Sequence, residues 1–323
     1  MTLHGLTHTA FPAETCALRK FHNVNLITLS KTNTASQAFS QLVPFLKARI
    51  RHEGAFLLRG FDWRTPDDFQ NCLRAFDLPL LGYDFGSTPR SELAQGIYTS
   101  TEYPAHQAIP LHNEQAYTTR WPDLIWFFCQ TAAASGGATP LADSRRVYRE
   151  LDAEVRETFE RKGLIYVRNY DDGLDVPWQK VFATEEPKAV EAYCEAQGIE
   201  WTWTEGGLHT RQRCQVTTEH PVRGETVWFN QAHLFHVSAL EPQLRELLVS
   251  IAGEENLPRN VIHADGSPID EDHLNHIRAV YADVAVAFPW QNGDLLMLDN
   301  LLYAHGRQSF SGERRVLVAM AAV

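Results

Sequence analysis

The stretch that decides the fold runs from Gly293 to Met320 and reads GDLLMLDNLLYAHGRQSFSGERRVLVAM. Leu295 to Leu298 form an apolar run of strand length. A polar turn, Asp299-Asn300, follows, then His305, then a glycine turn, then a second β-prone run that opens on Arg314 and Arg315. A histidine and two arginines are thus delivered on consecutive short strands near one end of the chain.

Outward from this stretch the texture is the same. From about residue 95 short β-prone segments alternate with turns, at 109–117, 123–131, 138–142, 163–169, 212–217, 226–230, 294–299 and 314–322. Residues 144–162 have the spacing of one amphipathic, charge-laced helix, and 186–197 and 240–252 are further helix candidates. Before residue 95 the order reads helix (35–51), strand (54–61), helix. The last begins at Thr65-Pro66-Asp67-Asp68, a capping residue, a first-turn proline and two acids, and runs to Phe76. Many short strands with helices between them predict a mainly β fold with inserted helices, a jelly roll. The expected organisation is one domain over 1–323. Residues 1–94 form an N-terminal helix and strand part, and 95–323 a jelly-roll core with a helical insertion at about 144–260. No G-x-G-x-x-G follows a strand and no Walker motif is present, which disfavours nucleotide-binding α/β folds.

Composition narrows the function. A formal net charge of -11 makes the chain a poor general binder of nucleic acid or anionic membrane, while a local arginine can still hold a small anion. Five widely spaced cysteines without C-x-x-C argue against a disulfide framework or zinc ribbon and fit a reducing compartment. No basic stretch followed by an apolar run opens the chain, and no apolar run approaches membrane-spanning length. The expected location is the cytoplasm.

The sharpest local motif is Leu111-His112-Asn113-Glu114. On a strand, residues i and i+2 share a face, so His112 and Glu114 would project together. Fourteen histidines and forty acids make a lone H-x-E a chance event. His305 supplies the missing ligand of a 2-His-1-carboxylate set, which leaves positions open on iron(II) for a chelating co-substrate and O2. One arginine of the Arg314-Arg315 pair can grip the far carboxylate of 2-oxoglutarate, because guanidinium binds carboxylate bidentately and stays charged when buried. The two arginines are adjacent on a strand and so face opposite ways. Between these motifs lies Gly136-Gly137-Ala138-Thr139-Pro140, a turn whose Thr139 hydroxyl can donate to the same co-substrate.

Three segments together, 101–151, WFNQAHLFHVSAL (228–240) and 293–320, resemble the TauD/TfdA superfamily, and most closely its branch of syringomycin-biosynthesis hydroxylase and clavaminate synthase. The likeness spans roughly residues 50–323. It implies a double-stranded β-helix, Fe(II), 2-oxoglutarate and O2. It assigns His112, Glu114 and His305 as metal ligands and Thr139 and Arg315 as 2-oxoglutarate contacts. Arg314 stays open, because the spacing from His305 is one residue shorter than in taurine dioxygenase. The position of a taurine-type substrate arginine falls on the apolar Val318-Ala319-Met320, which disfavours a sulfonate. The carboxylate ligand is present, so the resemblance implies hydroxylation or desaturation in place of halogenation. It also implies an amino acid or related small molecule as substrate, free or tethered to a carrier protein, in natural product biosynthesis.

Candidate substrate contacts are Asn113, Gln115, Asn230, Gln231, His233, His236 and Arg307. His233 and His236 stand three apart and equally suit one helical face as structural residues. Two other readings use the same residues. A cupin-like metal-dependent hydrolase would need neither Thr139 nor Arg315, and a non-catalytic β-sandwich binding module would need no metal.

Overall fold

The computed structural model describes residues 9–30, 34–82, 91–100, 103–170 and 176–323. Its centre is the strand Leu124–Thr131, LIWFFCQT, flanked by Leu295–Asp299 and Arg315–Ala321 in an eight-stranded sheet. The run lacks polar alternation because the strand is covered on both faces. Trp126 and Phe128 pack into a core with the helices Ala35–Glu53 and Pro66–Phe76. Ile125, Phe127 and Cys129 enter a second core, on the inner side of the roll.

Opposite that inner face lies a small sheet of Ile109–His112, Tyr303–Arg307 and Leu141–Asp143, in that order. Leu141 and Tyr303 join Ile125 and Phe127 in the shared core. Two sheets packed face to face, with helices outside and inserted, make the expected mainly β jelly roll, or double-stranded β-helix. Gly306 is required where the small sheet's strands meet. A Cβ there would stand 2.6 Å from the carbonyl oxygen of Ile109.

The N-terminal part differs from the helix, strand, helix reading. Two further strands, Cys16–Phe21 and Val24–Leu29, form a hairpin on the edge of the large sheet. Their signal is weak because the outer strand is mostly exposed and carries Arg19 and Lys20. Ala55–Arg59 then pairs in parallel with Val24–Leu29 and antiparallel with Leu295–Asp299, so the N-terminal part is continuous with the roll. The helix Pro66–Phe76 starts as expected, with Thr65 and Asp68 forming a reciprocal capping box.

Other boundaries move for local reasons. The single helix expected over 144–162 is two helices, Ser144–Glu150 and Ala153–Lys162, because Leu151 and Asp152 are extended. The 109–117 strand stops at His112 and a turn follows. The insertion holds more β structure than expected, a four-stranded sheet of Ile199–Trp203, Leu208–Cys214, Leu164–Asn169 and Arg259–His263. The helix Glu271–Val284, absent from the sequence reading, buries Leu274, Ile277, Val280 and Tyr281 in a core that this sheet shares. All five cysteines are free and buried, and burial pushes the thiols of Cys129 and Cys214 up to about 12, as suits packing residues. No helix among the described residues is long and apolar enough to cross a membrane.

Behind the roll Asp299 is fully buried. It accepts from the backbone N–H of Leu301 and Leu302 and from His220 Nε2, and pairs with Arg51 Nε at 3.2 Å. Arg51 also reaches Asp123 at 3.0 Å. Replacing Asp299 by Ala strands a buried guanidinium and several donors, so Asp299→Ala should cost about 3–5 kcal/mol. A urea midpoint equal to wild type would contradict the account. Burial also pushes His233 and His236 down to about 4, so both are neutral in the fold. A histidine depressed in the folded state stabilises above its unfolded pKa and loses that contribution on acidification. Stability should therefore hold above about pH 6.5 and fall between about 6.5 and 4. Thermal midpoints across that window should slope downward with acid, and a flat series would show that these imidazoles are not buried neutral.

Candidate metal centre

Three side chains meet at the small sheet. His112 ends one strand and His305 lies directly opposite it on the next, with ring centroids 4.6 Å apart. Glu114 arrives from the turn after His112, and its Oε2 lies 3.8 Å from His305 Nε2. One donor atom from each residue falls within a mutual 4.8 Å, which fits a single metal ion. The expectation that His112 and Glu114 share a strand face is therefore corrected. Their convergence comes from the turn and not from strand period.

The orientation of His112 is set locally. Its Nδ1 lies 2.8 Å from the carbonyl oxygen of Pro110, which only accepts, so Nδ1 carries the proton and Nε2 is left as the ligand atom. The ring of His305 packs on Phe127, centroids 4.9 Å apart. Glu114 is positioned through its backbone. Asn300 Oδ1 accepts from Glu114 N–H at 2.8 Å, and Asn300 Nδ2 donates to the Glu114 and Pro122 carbonyls at 3.0 and 2.9 Å. Asn300 therefore supports the site from behind.

His112 and His305 line a cleft that opens to solvent, with Glu114 beside them. Ile109, Phe127, Val316 and Val318 give it apolar walls, and Thr139, Arg307 and Arg314 add polar groups. Arg314, Val316 and Val318 project to the cleft side, whereas Leu317 and Ala319 pack in the outer core. The same alternation leaves Arg315 exposed. Of the two arginines that the sequence offered, Arg314 therefore lines the cleft, and Arg315, which the resemblance favoured, does not. Gly137 makes room for it, since a Cβ there would lie 3.0 Å from Arg314 Cδ. Arg314 Nε donates to the Gly137 carbonyl at 2.9 Å. Thr139 is buried and accepts from Trp290 Nε1 at 3.1 Å, which leaves its own O–H able to donate.

Electrostatics mark the same place. Burial pushes Arg314 down to about 10, with the charge of Arg307 a further cause, and it is still a cation at neutral pH. Both guanidiniums stand over the Phe310 ring, at 5.6 and 5.2 Å. Among the described residues no carboxylate pairs with either, so these residues give the cleft positive charge beside His112 and His305.

Most of the expected substrate contacts hydrogen-bond to backbone groups, and of them Arg307 lines the cleft. Arg307 donates to the carbonyls of Tyr103, Pro104 and Gln107, and so staples that segment beside the cleft. Asn113 donates to Ser144 Oγ and the Asn300 carbonyl. Asn230 is fully buried, donating to Val216 and accepting from Ala232. Gln231 and His233 reach the backbone of Asn113 and Leu111. His236 accepts from Ser238 N–H and caps a short turn of helix. Gln115 sits in the turn with φ 55, its carbonyl held by Thr118. Polar residues near a site are often its scaffold, and sequence order alone does not separate the two. Trp290 and Phe310 were missed because an aromatic reads as core until its neighbour is known.

The sequence pattern of the family described as Taurine catabolism dioxygenase TauD, TfdA family matches residues 29–320. The dapdiamide synthesis protein DdaC of Enterobacter agglomerans is 39% identical over 299 residues, which cover 92% of this chain and 91% of that protein. A clavaminate synthase-like protein of Arabidopsis thaliana is 30% identical over 291 residues, 85% of this chain and 84% of that one. The solved structure of PvcB from Pseudomonas aeruginosa superposes with a TM-score of 0.56 at 15% identity, covering 95% of this chain and 91% of that one. A second PvcB structure describes that protein as an Fe, alpha-ketoglutarate dependent oxygenase from an isonitrile synthetic pathway. The structural likeness speaks for the fold, and the sequence matches speak for descent. The chain belongs to the TauD/TfdA family and is an iron(II)- and 2-oxoglutarate-dependent oxygenase.

Proposed function

We propose that His112, Glu114 and His305 hold the iron, that Arg314 and Thr139 receive the distal carboxylate of 2-oxoglutarate, and that the enzyme hydroxylates or desaturates an amino-acid-like small molecule. The observation that carries this reading is the convergence of three ligand atoms beside a cleft whose Arg314 has no carboxylate partner among the described residues. Bound iron and 2-oxoglutarate supply the oxidising step, with O2 consumed and succinate and carbon dioxide released.

The protein's own part is orientation and exclusion. His112 presents Nε2 because Pro110 fixes its other nitrogen. Glu114 brings one negative charge and fills the position that a halide would need. Arg314 and Thr139 offer a charged fork and a hydroxyl at the far end, so a keto-diacid is held by both of its ends. Ile109, Phe127, Val316 and Val318 keep the space between apolar and limit water. Substrate class rests on the relatives, whose names point to dapdiamide synthesis, to clavaminate synthase and to an isonitrile synthetic pathway. We place the substrate, free or carrier-bound, in such natural product biosynthesis, and the enzyme in the cytoplasm.

Two measurements test this reading. Anaerobic iron(II) titration with 2-oxoglutarate should give a visible charge-transfer band in the wild type and none in His305→Ala. A band that survives in that variant would remove His305 from the ligand set. Arg314→Gln should weaken 2-oxoglutarate by about 2–5 kcal/mol, the cost of truncating a buried charge partner. That is at least about 30-fold in KM, read by succinate release. Arg315→Gln should stay within about twofold because its side chain is exposed. The reverse ranking would return the role to Arg315.

A further inference from the structure

The WFNQAH segment, 228–233, is not used by the cleft, yet its side chains lie directly behind the metal residues. We infer that Gln231 and His233 are positioning residues for the metal, holding the backbone on either side of His112 and so fixing how His112 and Glu114 present their ligand atoms. The inference rests on the proposed ligand set.

The argument begins with an edge. Ile109–His112 is the outer strand of the small sheet, so some of its carbonyls have no neighbouring strand to pair with. Buried carbonyls need partners. Here the partners are side chains from the insertion. His233 Nε2 lies 2.9 Å from the Leu111 carbonyl oxygen, and Gln231 Nε2 donates to the Asn113 carbonyl at 2.7 Å. Leu111 and Asn113 are the two neighbours of His112. Both donors are nearly inaccessible to water, with 2% exposure at His233 and 4% at Gln231. A strand at this edge would have continued the pairing beyond His112. Discrete side-chain donors let the backbone leave the strand at Asn113, where Asn300 takes over and holds Glu114.

The donors are themselves fixed. Gln231 N–H donates to Tyr166 Oη at 2.7 Å, on the strand Leu164–Asn169. The His233 ring stacks on Tyr281 with centroids 4.6 Å apart, and its carbonyl accepts from Arg278 Nε and Nη2. Tyr281 and Arg278 belong to the helix Glu271–Val284. The insertion and this helix thereby act as a rigid backing for the metal stretch.

The test uses the metal-free full chain and iron(II) alone as the probe, titrated anaerobically, with thermal unfolding of the apo protein alongside. A glutamine amide reaches the place of imidazole Nε2, whereas an asparagine amide falls short of it. His233→Gln should therefore keep iron affinity within about threefold of wild type, while His233→Asn and Gln231→Met should weaken it about 10- to 100-fold. The charge-transfer maximum with 2-oxoglutarate should shift in the weakened variants. A purely structural role predicts lower apo melting temperatures with equal iron affinities for the Gln and Asn variants, and that result overturns the inference. His112→Ala separates the two levels. If it still binds iron as wild type does, the ligand set is wrong. If it loses iron while His233→Asn and Gln231→Met do not, the positioning claim alone fails.

Discussion

One carboxamide ties the two halves of the centre together. The side chain of Asn300 engages both the N–H and the carbonyl of Glu114, and its backbone carbonyl accepts from Asn113. Asn300 follows Asp299, whose carboxylate is buried and anchored by Arg51, His220 and two backbone amides. The turn that carries Asn300 is therefore rigid, and the H-x-E stretch, 186 residues away in sequence, is registered against it. Without that registration three ligand atoms on two segments would have no reason to converge.

The two buried charge systems contrast in a telling way. Around Asp299 every charge faces an opposite charge or a hydrogen bond, as a structural network must. Arg314 and Arg307 share a cleft and an aromatic ring, and among the described residues their hydrogen bonds reach only carbonyl groups. Carbonyls satisfy donors without neutralising charge. A fold that keeps two cations in this state beside a metal set is prepared for an anion, and a keto-diacid chelated at its other end is one.

Much of the outer design also serves the centre. The insertion between the jelly-roll strands contributes Tyr166, Gln231 and His233, and the late helix contributes Arg278 and Tyr281. Gln231 and His233 touch the backbone of the metal stretch, and Tyr166, Arg278 and Tyr281 hold those two in place. An insertion that reads as decoration in a strand list is thus part of the frame that holds the ligands. The same logic reassigns Arg307, which fastens the segment 103–107 to the strand bearing His305.

Sequence by itself determined the strand-rich architecture, because short apolar runs such as LIWFFC and LLML between turn signals read as strands, and the fold buries both of their faces. It also singled out His112, Glu114 and His305, since a metal needs specific donor atoms and few places offered them together with a nearby arginine pair, and the fold brings these three side chains together. Tertiary structure decided what depends on neighbours distant in the chain. The choice of Arg314 over Arg315 follows from which side of one strand meets the cleft, and identical adjacent residues carry no mark of it. The partners of Asn113, Asn230, Gln231 and His236, which are groups of the fold itself, followed the same rule. An amide or imidazole is equally suited to a ligand or a carbonyl, and only the fold shows which one it faces.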